Sequence, residues 1–281
     1  MKLLFTILFC FLSAHLIAAL TGVDKTTEAK AWFKNQPLQF VENKGQFTNS
    51  DGKPADQVLF KATTGNLDIY ITTNGLSYVF FKLEEVPEEK TRTGVKDIMP
   101  GRPEKENRKA YYYRMDMNLE GASISKDQVI KELPASQGVT NYFYPHCPDG
   151  IYGVQQFGKI TIKNIYKGID WVIYTNTSGE KGQPIKYDFV VQPQANYRDI
   201  KIKFVHAQST TLTDNATKLK IKTIAGTIEE GGLYSYLGNN TDKQPVRSKY
   251  TIDKNKLVQF EVDEYDRTKP LVIDPLVWAT Y

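Results

Sequence analysis

Asn164-Ile165-Tyr166-Lys167-Gly168-Ile169-Asp170-Trp171-Val172-Ile173-Tyr174 and Ile185-Lys186-Tyr187-Asp188-Phe189-Val190-Val191 flank the connection Thr175-Asn176-Thr177-Ser178-Gly179-Glu180-Lys181-Gly182-Gln183-Pro184. Both flanks are rich in β-branched and aromatic residues, while the connection holds nearly every residue type that ends a strand. The stretch reads as a β-hairpin, with Gly168 allowing a bend or bulge where its first strand begins. Pairing Tyr174 with Ile185 would set Asp170 opposite Phe189 and Trp171 opposite Asp188. A slip of one residue would align the two acids, and like charges directly opposite are destabilising.

The same alternation recurs along the chain. Leu67-Asp68-Ile69-Tyr70-Ile71-Thr72 and Leu76-Ser77-Tyr78-Val79-Phe80-Phe81-Lys82-Leu83 flank Thr73-Asn74-Gly75, a strong hairpin signal. In Tyr111-Tyr112-Tyr113-Arg114-Met115-Asp116-Met117-Asn118-Leu119, period two puts Tyr111, Tyr113, Met115, Met117 and Leu119 on one face. Lysine is the usual outward residue in Lys159-Ile160-Thr161-Ile162-Lys163, Ile200-Lys201-Ile202-Lys203-Phe204 and Leu219-Lys220-Ile221-Lys222. One wet face per sheet marks antiparallel sheets, and outward lysines discourage edge pairing with other chains. Many short strands without a persuasive long helix predict an all-β fold, an antiparallel β-sandwich or stacked sheets built from hairpins. From Glu84 to Lys109 acids, bases and three prolines crowd together, which reads as a charged, disordered insertion between strands.

Met1-Lys2, an apolar run from Leu3 to Leu12 and the small residues up to Ala19 have the form of a secretory signal peptide. The apolar run falls short of a membrane span of about 20 residues. Phe9 before Cys10 argues against lipidation, since a small residue is needed there. The organisation read from the sequence is a signal peptide over 1–19, an arm over 20–36 and a β-rich domain, of one or two subdomains, over 37–281. No membrane span follows the signal. Without the leader, Cys147 is the only cysteine, so no internal disulfide can form and stability must come from the core. The 41% hydrophobic and 12% aromatic content is ample for that. The formal charge of +4 comes from lysines interspersed with acids rather than clustered, which makes nucleic acid a poor partner.

No catalytic motif or cofactor fingerprint stands out, so the reading assigns no catalytic, cofactor or metal residues. Asp170 and Asp188 are the best acid/base candidates, because facing carboxylates would raise one pKa as a general acid requires. Asp274, in Val272-Ile273-Asp274-Pro275, reads as a turn residue before proline. His146 beside Cys147, in the loop-like Tyr144-Pro145-His146-Cys147-Pro148, lacks the second ligand pair of a zinc site. His206 stands alone. Asn176, Asn215 and Asn239 each open a glycosylation-type triplet in turn-like stretches, which supports surface loops.

With these motifs in hand, the chain resembles the uncharacterised, DUF7948-like N-terminal domain of large secreted and surface proteins of Bacteroidetes, often followed by SBBP-type β-propeller repeats. The resemblance rests on Phe40-Val41-Glu42-Asn43-Lys44-Gly45-Gln46, Thr73-Asn74-Gly75-Leu76, Asn141-Tyr142-Phe143, Ile165-Tyr166-Lys167-Gly168-Ile169-Asp170, Lys186-Tyr187-Asp188-Phe189-Val190-Val191 and Pro270-Leu271-Val272-Ile273-Asp274-Pro275. The family pattern carries glycine after Asn141-Tyr142-Phe143, where this chain has Tyr144-Pro145-His146-Cys147-Pro148. The chain stops at Tyr281, near where members run on into repeats, so the resemblance implies a stand-alone copy or a piece of a longer, adhesin-like protein. It assigns no activity. The resulting expectation is a secreted or cell-surface, non-catalytic structural or interaction module, whose partners are other domains, surface proteins or glycans. Two alternatives stand beside it: a carbohydrate- or peptide-binding module using exposed Tyr111, Tyr113 and Trp171, and a glycoside hydrolase using Asp170 and Asp188.

Overall fold

The computed structural model of the chain describes residues 38–85, 108–133, 138–175, 185–239 and 242–280. The signal peptide, the arm over 20–36 and the middle of the charged insertion lie outside these residues, as do Asn176 and most of the hairpin connection. The described residues open with a meander, β1 (Phe40–Glu42), β2 (Val58–Thr64), β3 (Leu67–Thr72), β4 (Gly75–Glu85) and β5 (Arg108–Leu119). It then crosses to a second sheet with β6 (Val129–Glu132) and returns with the hairpin of β7 (Val139–Tyr144) and β8 (Cys147–Phe157). The second sheet grows through β9 (Lys159–Tyr166), β10 (Ile169–Thr175) and β11 (Ile185–Val191), before β12 (Ile202–Val205) rejoins the first beside β5. β13 (Ser209–Thr213), β14 (Lys218–Lys222), β15 (Thr227–Asn239) and β16 (Asp242–Val246) extend the second sheet. β17 (Ser248–Ile252) and β18 (Val258–Val262) close the far edge of the first, and β19 (Leu271–Thr280) fills the gap between β15 and β11.

Every pairing between these strands is antiparallel, and buried residues of both sheets form one core. The fold is the all-β, sandwich-like arrangement expected from the alternation. In β11, Ile185, Tyr187, Phe189 and Val191 point inward, while Lys186, Asp188 and Val190 are less covered. In β5 the inward face holds Met115, Met117 and Leu119, but Tyr113 is half-buried and Tyr111 exposed, because the strand outruns the core. An edge-to-face series Trp171–Tyr187–Phe189–Phe260 carries ring packing from the second sheet into the first.

Four sequence expectations change. The hairpin pairs Thr175 with Ile185, so Asp170 faces Val190, Val172 faces Asp188, and Trp171 meets Phe189 rather than Asp188. Strands β4 and β5 run into the charged segment, where Glu84 opposes Lys109 and Glu85 opposes Arg108, so opposite charges across the ladder carry the pairing outward. Tyr144 pairs with Cys147 around Pro145-His146, making a hairpin tip of what reads as a loop. Asp274 lies within β19 and not in a turn. Proline cannot donate to a ladder, and the register of β15 shifts between Gly231 and Tyr234, opposite Pro275, which lets the strand continue past it.

Candidate functional site

The site grows from the outward positions of the first sheet. Cross-strand partners Tyr70, Ser77 and Asp116 form one row over β3, β4 and β5, and Val79 with Arg114 forms the next. Their inward neighbours Ile69, Ile71, Leu76, Tyr78, Met115 and Met117 are core, so the alternation that buries one face presents the other. Ser77 donates to Asp116 Oδ1, Arg114 Nε donates to the same oxygen at 2.8 Å, and Arg114 Nη2 lies 3.3 Å from Ser77 Oγ. His206 Nδ1 stands 3.6 Å from Asp116 Oδ2, so this histidine is not isolated.

Two walls rise over this floor. Residues 46–57 are shaped by the Asn43-Lys44-Gly45-Gln46 turn, where Asn43 Nδ2 donates to the carbonyls of Ala55 (3.0 Å) and Val58 (2.8 Å). Asn49 Oδ1 then accepts from the amides of Asp51 and Lys53, each at 3.0 Å, and Phe47 meets Tyr70 edge-on. The other wall is the tip of the β7–β8 hairpin. Tyr142, Tyr144 and His146 stack in succession, with centroids 5.8 and 5.4 Å apart and planes within 25° and 11°. His146 Nε2 lies 3.3 Å from the Gly45 carbonyl, and Lys44 Nζ donates to Gly153 O at 2.9 Å, joining the walls at one end. Between them is an open groove of about 600 Å³, lined among others by Phe47, Ser50, Gln57, Tyr70, Arg114, Tyr144 and His146. Such a volume is typical of small-ligand sites. No described lining residue is acidic, and Arg114 is the one permanently charged.

The acids singled out by sequence fall elsewhere and do not form one site. Asp170 is buried, pairs with Lys163 and accepts from the Asn164 amide (2.9 Å) and Gln192 Nε2 (3.0 Å). Asn164 near the end of β9 and Gly168 in the turn to β10 both have positive φ, and Asp170 braces this irregular backbone by accepting from the Asn164 amide. Replacing Asp170 by alanine is expected to lower stability by roughly 2 kcal/mol, the loss of hydrogen bonds to a buried charge, in urea unfolding. An unchanged unfolding midpoint would exclude that role.

Asp188 instead meets Asp274. The register of β11 on β19, Phe189 with Ile273 and Val190 with Val272, carries on to place these two carboxyls side by side on the outer face of the second sheet. Burial, then the Asp274 charge, pushes Asp188 up to about 7, and burial raises Asp274 as well. Tyr174 donates to Asp188 at 3.2 Å, and Lys243 sits 4.3 Å over the Tyr236 ring nearby. The pair is suited to holding one proton near neutral pH. A third polar cluster is internal: Glu230, fully buried, accepts from Tyr187 at 3.0 Å, and burial pushes it up to about 7. Its second oxygen and the polar atoms of Tyr78, Tyr250 and Trp171 are buried without a hydrogen-bond partner.

Trp171 is therefore core and cannot serve as an exposed platform, which removes part of the aromatic surface expected from sequence. Tyr111 and Tyr113 do not line the groove. The rings that do include Phe47, Tyr70, Tyr144 and His146. In the sequence His146 stands out only as a candidate metal ligand in a loop, although Tyr142, Tyr144 and His146 lie at period two and so share a face if the segment is a strand. Residues 40–276 match the family model described as "Domain of unknown function (DUF7948)". The chain belongs to the DUF7948 family. No curated protein and no solved structure matches it. Within this DUF7948 chain, no described group of three or more His, Cys, Asp or Glu residues could hold a metal ion. No described helix is long and apolar enough to cross a membrane.

Proposed function

We propose that this DUF7948 domain is a non-catalytic interaction module of a secreted or cell-surface bacterial protein, and that it takes its ligand in the groove over β3, β4 and β5. The groove carries this reading: stacked aromatic rings face a wall of amides and hydroxyls across a floor with a fixed guanidinium. Stacking surfaces beside convergent polar groups suit selective, reversible binding. Among the groove hydroxyls, Ser77 donates a hydrogen bond to Asp116, and His206 approaches the other oxygen of Asp116. That is the wiring of an oriented arginine, not of an activated serine. The leader-like residues up to Ala19 support export.

Incubating the purified protein with polysaccharides and peptides is expected to give saturable binding that weakens on Tyr144→Ala, with no hydrolysis products. Turnover that disappears in a folded Asp188→Asn or Asp274→Asn variant would overturn the non-catalytic reading. N-terminal sequencing of the exported protein is expected to begin at Leu20.

A further inference from the structure

Resting on the groove as the binding site, we propose that its ligand is an acidic saccharide, a chain of uronic-acid type. Its carboxylate would seat on Arg114, and its sugar faces would lie along the Tyr144–His146 stack.

A guanidinium has two edges that can offer paired N–H groups. In Arg114 the Nε/Nη2 edge is occupied, Nε by Asp116 Oδ1 and Nη2 by Ser77 Oγ. The end-on Nη1/Nη2 edge has no partner for Nη1 among the described residues, and the Arg114 side chain is 60% exposed. Asp116 and Ser77 hold the plane of the fork, so little rotamer freedom is lost when a carboxylate arrives, and a bidentate pair of charge-assisted bonds can form. Asp116, only 9% exposed, sits at the Nε edge with one oxygen taken by Arg114 and Ser77 and the other facing His206, and no described lining residue of the groove is acidic.

The rest of the lining points to sugar. Tyr144, His146, Phe47 and Tyr70 line the groove with apolar ring surface, while Ser50, Gln57 and Thr48 offer the hydroxyls and amide that sugar hydroxyls pair with. A peptide could not bind here by strand addition, which needs a free sheet edge. The floor here is β3, β4 and β5, internal strands whose backbone groups already serve the ladders on both sides.

The test is calorimetric titration of the purified protein with galacturonate, glucuronate and mannuronate oligomers, with the methyl esters of the same oligomers, and with an acidic peptide. At least one uronate is expected to bind tenfold or more tighter than its own ester. Arg114→Lys, which keeps the charge and loses the fork, should erase most of that difference, while Tyr144→Ala should weaken acid and ester alike. The ester comparison needs no variant, so a poorly folded Arg114 variant leaves the test intact. Equal binding of acid and ester, lost on Tyr144→Ala, would overturn the carboxylate assignment and leave the groove standing. Peptide binding lost on Tyr144→Ala, with no saccharide bound, would overturn the ligand class alone. No binding by any of these ligands would overturn both.

Discussion

Replacing Glu230 with glutamine is expected to stabilise the protein by roughly 3 kcal/mol at pH 8 and to change little at pH 4. Burial raises the folded-state pKa of this carboxyl from 4.5 to about 7, with the Tyr187 hydrogen bond pulling it back down. Between those values the folded state binds more protons than the unfolded one. The stability contributed by the neutral acid is therefore full below about 4.5 and is lost as pH rises through about 7. The gap between the two pKa values corresponds to roughly 3 kcal/mol. Glutamine keeps an acceptor for Tyr187 and carries no charge at any pH, so it escapes that loss. Asp188 and Asp274 are raised in the same direction, and the variant should keep a shallower decline over the same pH range, which Asp274→Asn would flatten further. Chemical unfolding from pH 4 to 8 measures both. A wild-type stability that rises across this range would contradict the assignment.

Trp171→Ala should be the most damaging single substitution on the hairpin, at about 3 to 5 kcal/mol, the usual cost of truncating a buried tryptophan. Trp171 is fully buried, packs edge-to-face on Tyr187, and opens the ring series that ends at Phe260 in the other sheet. Its indole nitrogen has no hydrogen-bond partner, so Trp171→Phe gives up volume but also removes a buried, unsatisfied donor, and should cost less than half as much. Urea midpoints of the two variants decide this. Equal losses would mean that ring volume is not what Trp171 contributes, and a loss under about 1 kcal/mol for alanine would mean that the two sheets do not share this packing.

Period-two alternation made the sheets legible, and the recurrence of Val, Ile, Tyr and Phe at inward positions placed most of the core. Register was harder to read. Pairing Tyr174 with Ile185 sets an outward residue against an inward one, whereas the observed Thr175–Ile185 and Trp171–Phe189 pairs keep buried side chains on one face. Matching faces across the ladder, rather than counting from the ends of the connection, would have selected it. In the charged segment, composition hid a ladder: Glu84 with Lys109 and Glu85 with Arg108 read as solvent-facing charge but are cross-strand partners. Asp274 before Pro275 looked like a turn because the accommodating bulge lies in β15, some forty residues upstream.

The candidate site was the least legible part. Ser77 and Asp116 lie 39 residues apart in sequence and meet only through the pairing of β4 with β5. Each alone is an ordinary outward residue on a wet sheet face. The aromatic wall was visible as Tyr142, Tyr144 and His146, but the proline within it suggested a loop where the chain forms a hairpin tip. Asp170 and Asp188 drew attention as acids on neighbouring strands. The fold gives the first to a turn and pairs the second with Asp274.

The most direct test of the account is an amide chemical-shift map of the isotope-labelled protein titrated with the tightest ligand from the saccharide and peptide panel. Perturbations are expected to concentrate on residues 46–57, Tyr70, Ser77, Arg114 and Tyr144 to His146. A map centred on Asp188, Asp274 and Tyr236, on the outer face of the other sheet, would contradict it.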